Sequence, residues 1–287
     1  QTPPRRLSNT VSGYDPKAAQ PRSNSPYRTK QSQSGDTIVL EIDPQLARNQ
    51  IQNRPFTTRE QAQNIDDVCN IVAGLLQHNR ISLGIAINRS NIVEAVLQKA
   101  LAVSPSGRDR SQRQMKDVKD SHSQCLQYFT NKADPKMKLR LQEEKNFIPV
   151  AVNLLRHPDT NVVTDAIIAL NQIIGGGLSR VKHGALHPDR ELFEKENYLK
   201  ELWNVFWQKQ TEDIKNYAAL CIGRLYQGLP LPEQYTNILK TLRPLCHSAD
   251  QYEARAALQT FCGLAEVQEN HENFVTRDFL SELLILF

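Results

Sequence analysis

The chain has 287 residues, of which 39% are hydrophobic and 23% charged, and its formal net charge is +4. No run of about 18 apolar residues occurs, so the composition offers no clear membrane-spanning segment. The five cysteines are odd in number and lack the C-x-x-C spacing of a structural zinc site. A disulfide framework is therefore disfavoured, and buried, reduced thiols in a cytosolic or nuclear compartment are expected.

Residues 1–55 are predicted to form a disordered basic tail rich in Ser, Pro and Gln. Residues 1–35 hold six Lys or Arg against one acid, Asp15, which gives +5 and leaves −1 for the rest of the chain. A segment with so few large aliphatic residues cannot bury enough surface to offset the entropy of ordering. The tail should therefore have no stable fold by itself.

The spaced cations of the tail can contact an acidic partner, such as a tubulin surface, a nucleic acid or an anionic membrane. Ser8 follows two arginines and Ser25 precedes a proline, so both resemble kinase sites, and phosphorylation would weaken such a contact. The simpler alternative is a solvated extension with chance motifs. Nucleic-acid binding is disfavoured, because no RRM, KH or zinc-finger pattern is present.

Residues 37–42, TIVLEI, form a short β-like run that can add to the edge of a partner's sheet or lie along the rest of the protein. Between residues 56 and 134, apolar residues recur at helical spacing and predict a group of N-terminal helices. The first two of these helices can form one degenerate repeat.

Residues 147–177 carry the strongest signal, two apolar helical patterns separated by a polar break. The layout recurs at residues 198–228 and 235–266, and residues 279–287 read as the start of another unit. These starts lie 51, 37 and 44 residues apart, close to the period of roughly 40 to 47 residues in helical HEAT and armadillo arrays. Because each apolar stripe is too wide to bury alone, neighbouring units should stack. We expect an all-α repeat array over residues 135–287 that continues past the last residue.

The first unit resembles the armadillo family in its opening helix, its H-P-D break and its second, small-residue helix. The resemblance covers about 140 residues, and HEAT repeats remain an alternative. It implies a right-handed superhelix whose concave face, lined by the last helix of each repeat, binds extended peptides or partner proteins. The matching residues are Ile148, Pro149, Val152, Leu154 and Leu155, then His157, Pro158 and Asp159, then Ala166, Ala169, Leu170, Ile173 and Gly175.

Nuclear-import adaptors of this family carry a Trp and, four residues later, an Asn on that last helix. Here the aligned pairs are Ile168 with Gln172, Leu220 with Arg224, and Gln259 with Gly263. An aliphatic side chain lacks the cation–π face that a tryptophan offers a lysine, so recognition of nuclear signals is disfavoured. The two tryptophans of the chain, Trp203 and Trp207, lie on an earlier helix, where we expect them to pack against neighbouring repeats.

The family resemblance places the working surface on the ridge of last helices, where amide and guanidinium groups bond the backbone of a peptide. The residues predicted to do so are Asn171, Gln172, Arg224 and Gln259. Residues 178–190 look like an insertion between two repeats, which is either a tolerated surface loop or a second contact patch. The patch would consist of Arg180, Lys182, His183 and His187.

No phosphate loop, zinc-protease motif or nucleophile elbow is found, so we predict no catalytic, cofactor-binding or metal site. The three glycines at 175–177 are expected to supply a left-handed cap at a helix end. His183 and His187 are four residues apart, but Gly184 and Pro188 disfavour a shared helical face. The sequence thus predicts a non-enzymatic, cytoplasmic interaction scaffold, and a structural role at the cytoskeleton or in a cilium is compatible with this prediction. A nuclear transport adaptor and the regulatory armadillo domain of a larger enzyme are the alternatives.

Overall fold

The computed structural model describes residues 27–31, 38–42, 58–76, 80–89, 91–101, 115–182, 184–208 and 211–274. Ser8, Ser25, His183 and residues 279–287 therefore lie outside the described part of the chain. The chain divides into two units, residues 1–59 and residues 60–287.

The first unit contains two antiparallel strands, β1 (Tyr27–Gln31) and β2 (Ile38–Ile42). Tyr27 lies opposite Ile42, and Gln31 lies opposite Ile38. Strand β2 coincides with the β-like run of the sequence, and its β-branched residues suit a pleated strand. Its pairing strand is a neighbouring segment of the same chain, within the region whose composition predicts a tail.

The second unit is built from helices, and the first of them begins at Thr58, two residues before the boundary. The α-helices are α1 (Thr58–Leu76), α2 (Arg80–Arg89), α3 (Ile92–Ala95, continued by a π-helix Val96–Leu101), α4 (Asp120–Thr130), α5 (Pro135–Glu143), α6 (Phe147–Leu154), α7 (Thr160–Leu178), α8 (Arg190–Lys195), α9 (Tyr198–Trp207), α10 (Glu212–Leu225), α11 (Ile238–Leu245), α12 (Gln251–Ala265) and α13 (His271–Phe274). Short 3₁₀ helices occur at Met115–Asp117, Glu233–Tyr235 and Gln268–Asn270.

These helices form repeats of three. The first repeat is α2, α3 and α4, the second is α5, α6 and α7, the third is α8, α9 and α10, and the fourth is Glu233–Tyr235, α11 and α12. Like helices pack on like: the first helices α2 and α5, the second helices α3, α6 and α9, and the third helices α4, α7, α10 and α12. Three helices per repeat is the armadillo arrangement, whereas HEAT repeats have two. The fold is an armadillo-like repeat array.

This arrangement confirms the predicted all-α repeat fold. It adds a first helix to each repeat, which the sequence pattern did not show. Each of the three predicted units within the described residues corresponds to the second and third helices of a repeat. The first helix of the third repeat, α8, follows the segment interpreted as an insertion and has only six residues. The interval of 51 residues between the first two predicted units therefore contains both a loop and a helix.

The turns before the second and third helices use the same residue types in successive repeats. Asn146 and Asn197 precede α6 and α9 in the left-handed conformation, with φ of 55° and 59°. Asparagine tolerates this region better than most non-glycine residues. Asp159, Thr211 and Asp250 cap α7, α10 and α12, because their side-chain oxygens accept hydrogen bonds from N–H groups of the first turn. The repeat is therefore specified locally as well as by its apolar stripes.

The H-P-D sequence occurs twice, at residues 157–159 and 187–189, with the same geometry. The Nδ1 atoms of His157 and His187 accept hydrogen bonds from the backbone N–H of the following aspartate, at 3.0 and 3.1 Å. Each Nε2 atom therefore carries the hydrogen and donates it to a distant backbone carbonyl, at 2.8 and 3.0 Å. Burial lowers the pKa of His187. Both nitrogens of His187 are used, and the described residues contain no group of three metal-ligating side chains.

Helix α7 is long and apolar enough, with a mean hydropathy of 1.2, to match a membrane span by composition. However, 67% of that stretch is buried inside the protein. Its neighbours α4 and α10 flank it, and α5 and α6 also pack against it. Helix α7 is the central core helix of the array.

A polar contact joins α1 to α4. His122 is fully buried, accepts the Lys119 backbone N–H at its Nδ1 atom, and donates from Nε2 to Oδ1 of Asp66 at 2.6 Å. The Lys119 ammonium binds the other carboxylate oxygen at 2.6 Å. Partial burial opposes ionisation of Asp66, but these hydrogen bonds prevail and lower its pKa.

A buried carboxylate joins α4 to α7. Asp165 accepts hydrogen bonds from the Ser123 hydroxyl and the Gln127 amide, both at 2.5 Å. Burial raises the pKa of Asp165 to about 6, and the nearby carboxylates of Asp120 and Asp159 contribute to this rise. The two hydrogen bonds lower the pKa, but by less. The folded protein therefore retains a proton on Asp165 at a pH where the unfolded chain has lost it.

The Asp165→Asn variant should lose a pH dependence that the native protein has. Between pH 3.8 and about 6 the native fold binds more protons at this position than the unfolded chain, so its stability falls as pH rises. The loss is at most about 3 kcal/mol, since one pH unit corresponds to about 1.4 kcal/mol. The new amide can donate to the Ser123 hydroxyl and accept from Gln127. Urea unfolding should show that the stability of the variant rises relative to that of the native protein between pH 4 and pH 7.5. If the free energies of unfolding of the two proteins change with pH in parallel, the prediction is wrong.

Candidate protein-binding groove

The ends of the third helices α7, α10 and α12 form an open groove with a volume of about 730 Å³. One wall is the C-terminal end of α7 with the loop that follows, the base is the end of α10, and the other wall is α12. Side chains that matter for its chemistry are Lys182, Arg224, Arg255, Leu258, Gln259 and Glu266.

Two of the four predicted ridge residues line this groove, and the other two lie beside it. Arg224 and Gln259 belong to the lining, and the Gln259 side chain is exposed. Gln172 is half-buried, and its Oε1 atom accepts a hydrogen bond from Lys138 at 3.1 Å. Asn171 is fully buried. The structure thus places all four on adjacent helices but leaves only Gln259 openly presented.

Asn171 holds Arg224 in position. The Nη1 atom of Arg224 donates to the backbone oxygen of Asn171 at 3.0 Å and to its Oδ1 atom at 2.6 Å. The Nδ2 atom of Asn171 donates to the Tyr252 hydroxyl at 3.3 Å, which fixes the orientation of the amide. The amide of Asn171 is therefore used within the protein. Its role is to support Arg224, in place of the direct peptide contact predicted from the sequence.

The three glycines at 175–177 do not form a left-handed cap. Helix α7 continues through them to Leu178, and among the described glycines only Gly184 and Gly228 have positive φ. A Cβ atom at Gly175 would lie 2.8 Å from Nη1 of Arg224, and one at Gly176 would lie 2.7 Å from Cδ of Lys138. The absence of side chains lets the two cationic residues lie directly on the helix.

Lys138 on α5 contributes a second cationic side chain near the end of α7. Burial lowers the pKa of Lys138 to about 8, and the positive charge of Arg224 adds to this effect. Two cations therefore approach α7 from its neighbours on either side. Each binds an amide oxygen of α7, Lys138 that of Gln172 and Arg224 that of Asn171.

The predicted contact patch on the loop after α7 is only partly assembled. Lys182 lines the groove, and Arg180 is exposed outside its lining. His187 is buried and fully hydrogen bonded, so it cannot contact a partner in this conformation. His183 lies outside the described residues.

Several groove residues on α12 were not predicted. Arg255, Leu258, Cys262 and Glu266 join Gln259 on one face of this helix, at spacings of three and four residues. The same spacing is visible in the sequence and would have identified them once α12 was known to be a third helix. Cys262 is exposed, in contrast to the expectation of buried thiols, which holds for Cys69, Cys125, Cys221 and Cys246.

No family model matches the chain, and no curated protein matches it. Two solved structures resemble it at low identity. One is the crystal structure of an engineered protein, with a TM-score of 0.42, 15% identity, and coverage of 77% of this chain and 85% of the other. The other is a designed armadillo repeat protein, with a TM-score of 0.39, 14% identity, and coverage of 75% of this chain and 97% of the other.

Proposed function

We propose that this protein is a non-enzymatic scaffold that binds an extended segment of a partner protein in the groove of its third helices. The observation that supports this proposal is the groove itself, which three successive third helices line with both apolar and polar side chains. Leu178, Val181 and Leu258 supply apolar surface, while Gln227 and Gln259 supply amides that can bond a peptide backbone.

The dimensions suit a short extended peptide. Packed helices lie about 8 to 10 Å apart, so a segment that crosses α7, α10 and α12 covers roughly 20 Å. An extended chain advances about 3.3 Å per residue, so about six residues would fill this distance. Six residues provide enough alternating side chains to contact both the apolar and the polar residues of the groove.

The charge of the groove bears on the alternative role of a nuclear transport adaptor. Lys182, Arg224 and Arg255 are cationic, whereas Glu266 is the one carboxylate among the described lining residues. A basic nuclear-signal peptide would meet repulsion from these cations. A regulatory domain of a larger enzyme could bind a peptide in the same groove. This alternative therefore requires the same binding chemistry as the proposed scaffold and differs from it only in the protein to which the domain belongs.

Selection from a random peptide library displayed on phage tests the proposal. Peptides selected on the native protein should bind the Gln259→Ala variant about two- to tenfold more weakly, because a hydrogen bond to the peptide backbone is lost. The Gln234→Ala variant is the matched control, since Gln234 is exposed and lies outside the groove lining. Its affinity should equal that of the native protein.

Hydrogen exchange locates the bound peptide independently. Binding in the groove should slow exchange in α12 and at the end of α10. Recovery of no binding peptide, or of peptides that protect neither helix and bind both glutamine variants equally, would contradict the proposed function.

A further inference from the structure

Arg224 is a buried cation for which the described residues supply no counter-ion. The residue is only 5% exposed, and no described carboxylate lies within ion-pair distance. Its hydrogen bonds go to two neutral oxygens of Asn171. Burying a charge is costly unless an opposite charge compensates it. The protein nevertheless positions this guanidinium with Asn171 on one side and with Gly175 beneath it.

One edge of the Arg224 guanidinium has no partner among the residues that the structure describes. Both hydrogen bonds to Asn171 use Nη1. Within the described part of the chain, the buried Nε atom has no hydrogen-bond partner, and neither has Nη2, which is not buried. Nε and Nη2 form the side-on fork with which arginine binds the two oxygens of a carboxylate. Arg224 lines the groove, and Nη2 is the exposed atom of this edge.

The surroundings favour an anion. Lys182 and Arg255 line the groove with Arg224 and are both exposed. The ammonium of Lys138 is close enough to Arg224 to be repelled by it, and the pKa of Lys138 is lowered to about 8, by burial first and by Arg224 next. An anionic ligand would relieve the repulsion between these two cations.

We infer that the groove selects peptides with an acidic residue, whose carboxylate binds the Nε and Nη2 edge of Arg224 while Lys182 and Arg255 attract the flanking acidic side chains. The inference rests on the proposed function, because it specifies the class of peptide that the groove accepts. The carboxylate supplies the missing counter-ion of Arg224. Apolar residues of the same peptide contact Leu178 and Leu258.

The test compares two fluorescent probe peptides that alternate an apolar residue with either glutamate or glutamine. Fluorescence anisotropy should show the native protein binding the glutamate peptide about tenfold more tightly or better, as expected for a charge-assisted hydrogen bond pair. The preference should weaken as salt rises, because exposed charges are screened. Equal affinities, or no measurable binding of the glutamate peptide, would overturn the inference.

Variants identify the residues that create the preference. Arg224→Gln keeps a donor for Asn171 but removes the charge, so it should abolish the preference for glutamate. Arg224→Lys keeps the charge without the fork and should retain part of it. The double variant Lys182→Gln with Arg255→Gln should reduce the preference severalfold without affecting the fold, since both side chains are exposed. A preference that survives in Arg224→Gln and in the double variant would overturn the inference.

Lys200→Gln is the matched control, because Lys200 is an exposed lysine of α9 outside the groove lining. Its preference for the glutamate peptide should equal that of the native protein. The test also separates the two proposals. If both probe peptides bind equally and Gln259→Ala weakens both, the groove binds peptides without selecting acidic ones. If random selection yields no groove-binding peptide at all, the proposed function itself fails.

Discussion

Replacing Phe193 with alanine is expected to lower the free energy of unfolding by about 3 to 5 kcal/mol, the usual cost of truncating a fully buried phenylalanine. Phe193 is 0% exposed and lies on α8, the first helix of the third repeat. Its ring meets that of Tyr198 edge to face, with centroids 5.7 Å apart. A helix of six residues has little stability alone, so packing of this ring must hold it in place.

The matched control is Leu192→Ala on the same helix. Leu192 is 37% exposed, so removing its side chain leaves little cavity and should change stability by no more than about 0.5 kcal/mol. Urea unfolding followed by circular dichroism measures both variants. If the two alanine substitutions cost the same, α8 does not pack as the three-helix repeat requires.

Replacing Gly223 with valine is expected to destabilise the protein by about 3 kcal/mol through overpacking. Gly223 is buried in α10, where this helix meets α11 and α12. A Cβ atom there would lie 2.5 Å from Cγ2 of Thr260, 3.4 Å from Leu242 and 3.6 Å from Ile238. A valine adds two further methyl groups at this crowded point, so α12 would have to move away from α10.

Gly74→Val is the control for the same change at an open position. Gly74 lies exposed in α1, and a Cβ atom there would meet nothing within 4 Å. Valine forms helices somewhat better than glycine, so stability should stay constant or rise by a few tenths of a kcal/mol. Differential scanning calorimetry compares the melting temperatures. A similar loss in both variants would point to helix propensity and contradict close packing at Gly223.

The sequence predicted the second and third helices because both carry apolar residues at helical spacing over two or more turns. It did not predict the first helices. Helix α8 and the 3₁₀ helix Glu233–Tyr235 have three to six residues, too few for a periodicity to emerge, and α2 and α5 have only ten and nine. The armadillo-like fold was therefore predicted from two of the three helices of each repeat.

The candidate site was predicted by position more successfully than by role. The aligned residues Arg224 and Gln259 line the groove, but alignment could not show that Asn171 is buried and bound to Arg224. That burial depends on how closely α7 and α10 approach each other. The glycines at 175–177 permit this approach, and their function is visible only when the side chains of the neighbouring helices are placed against them.

The hydrogen bond from Asn171 to Tyr252 links helices that are two repeats apart, α7 and α12. A solenoid with nearest-neighbour contacts alone behaves as a one-dimensional chain, in which terminal repeats can fray independently of the interior. A bond between next-nearest neighbours adds coupling that such a chain lacks. Loss of the fourth repeat would release Asn171, and through it Arg224, so the array from α7 to α12 should open as one cooperative block.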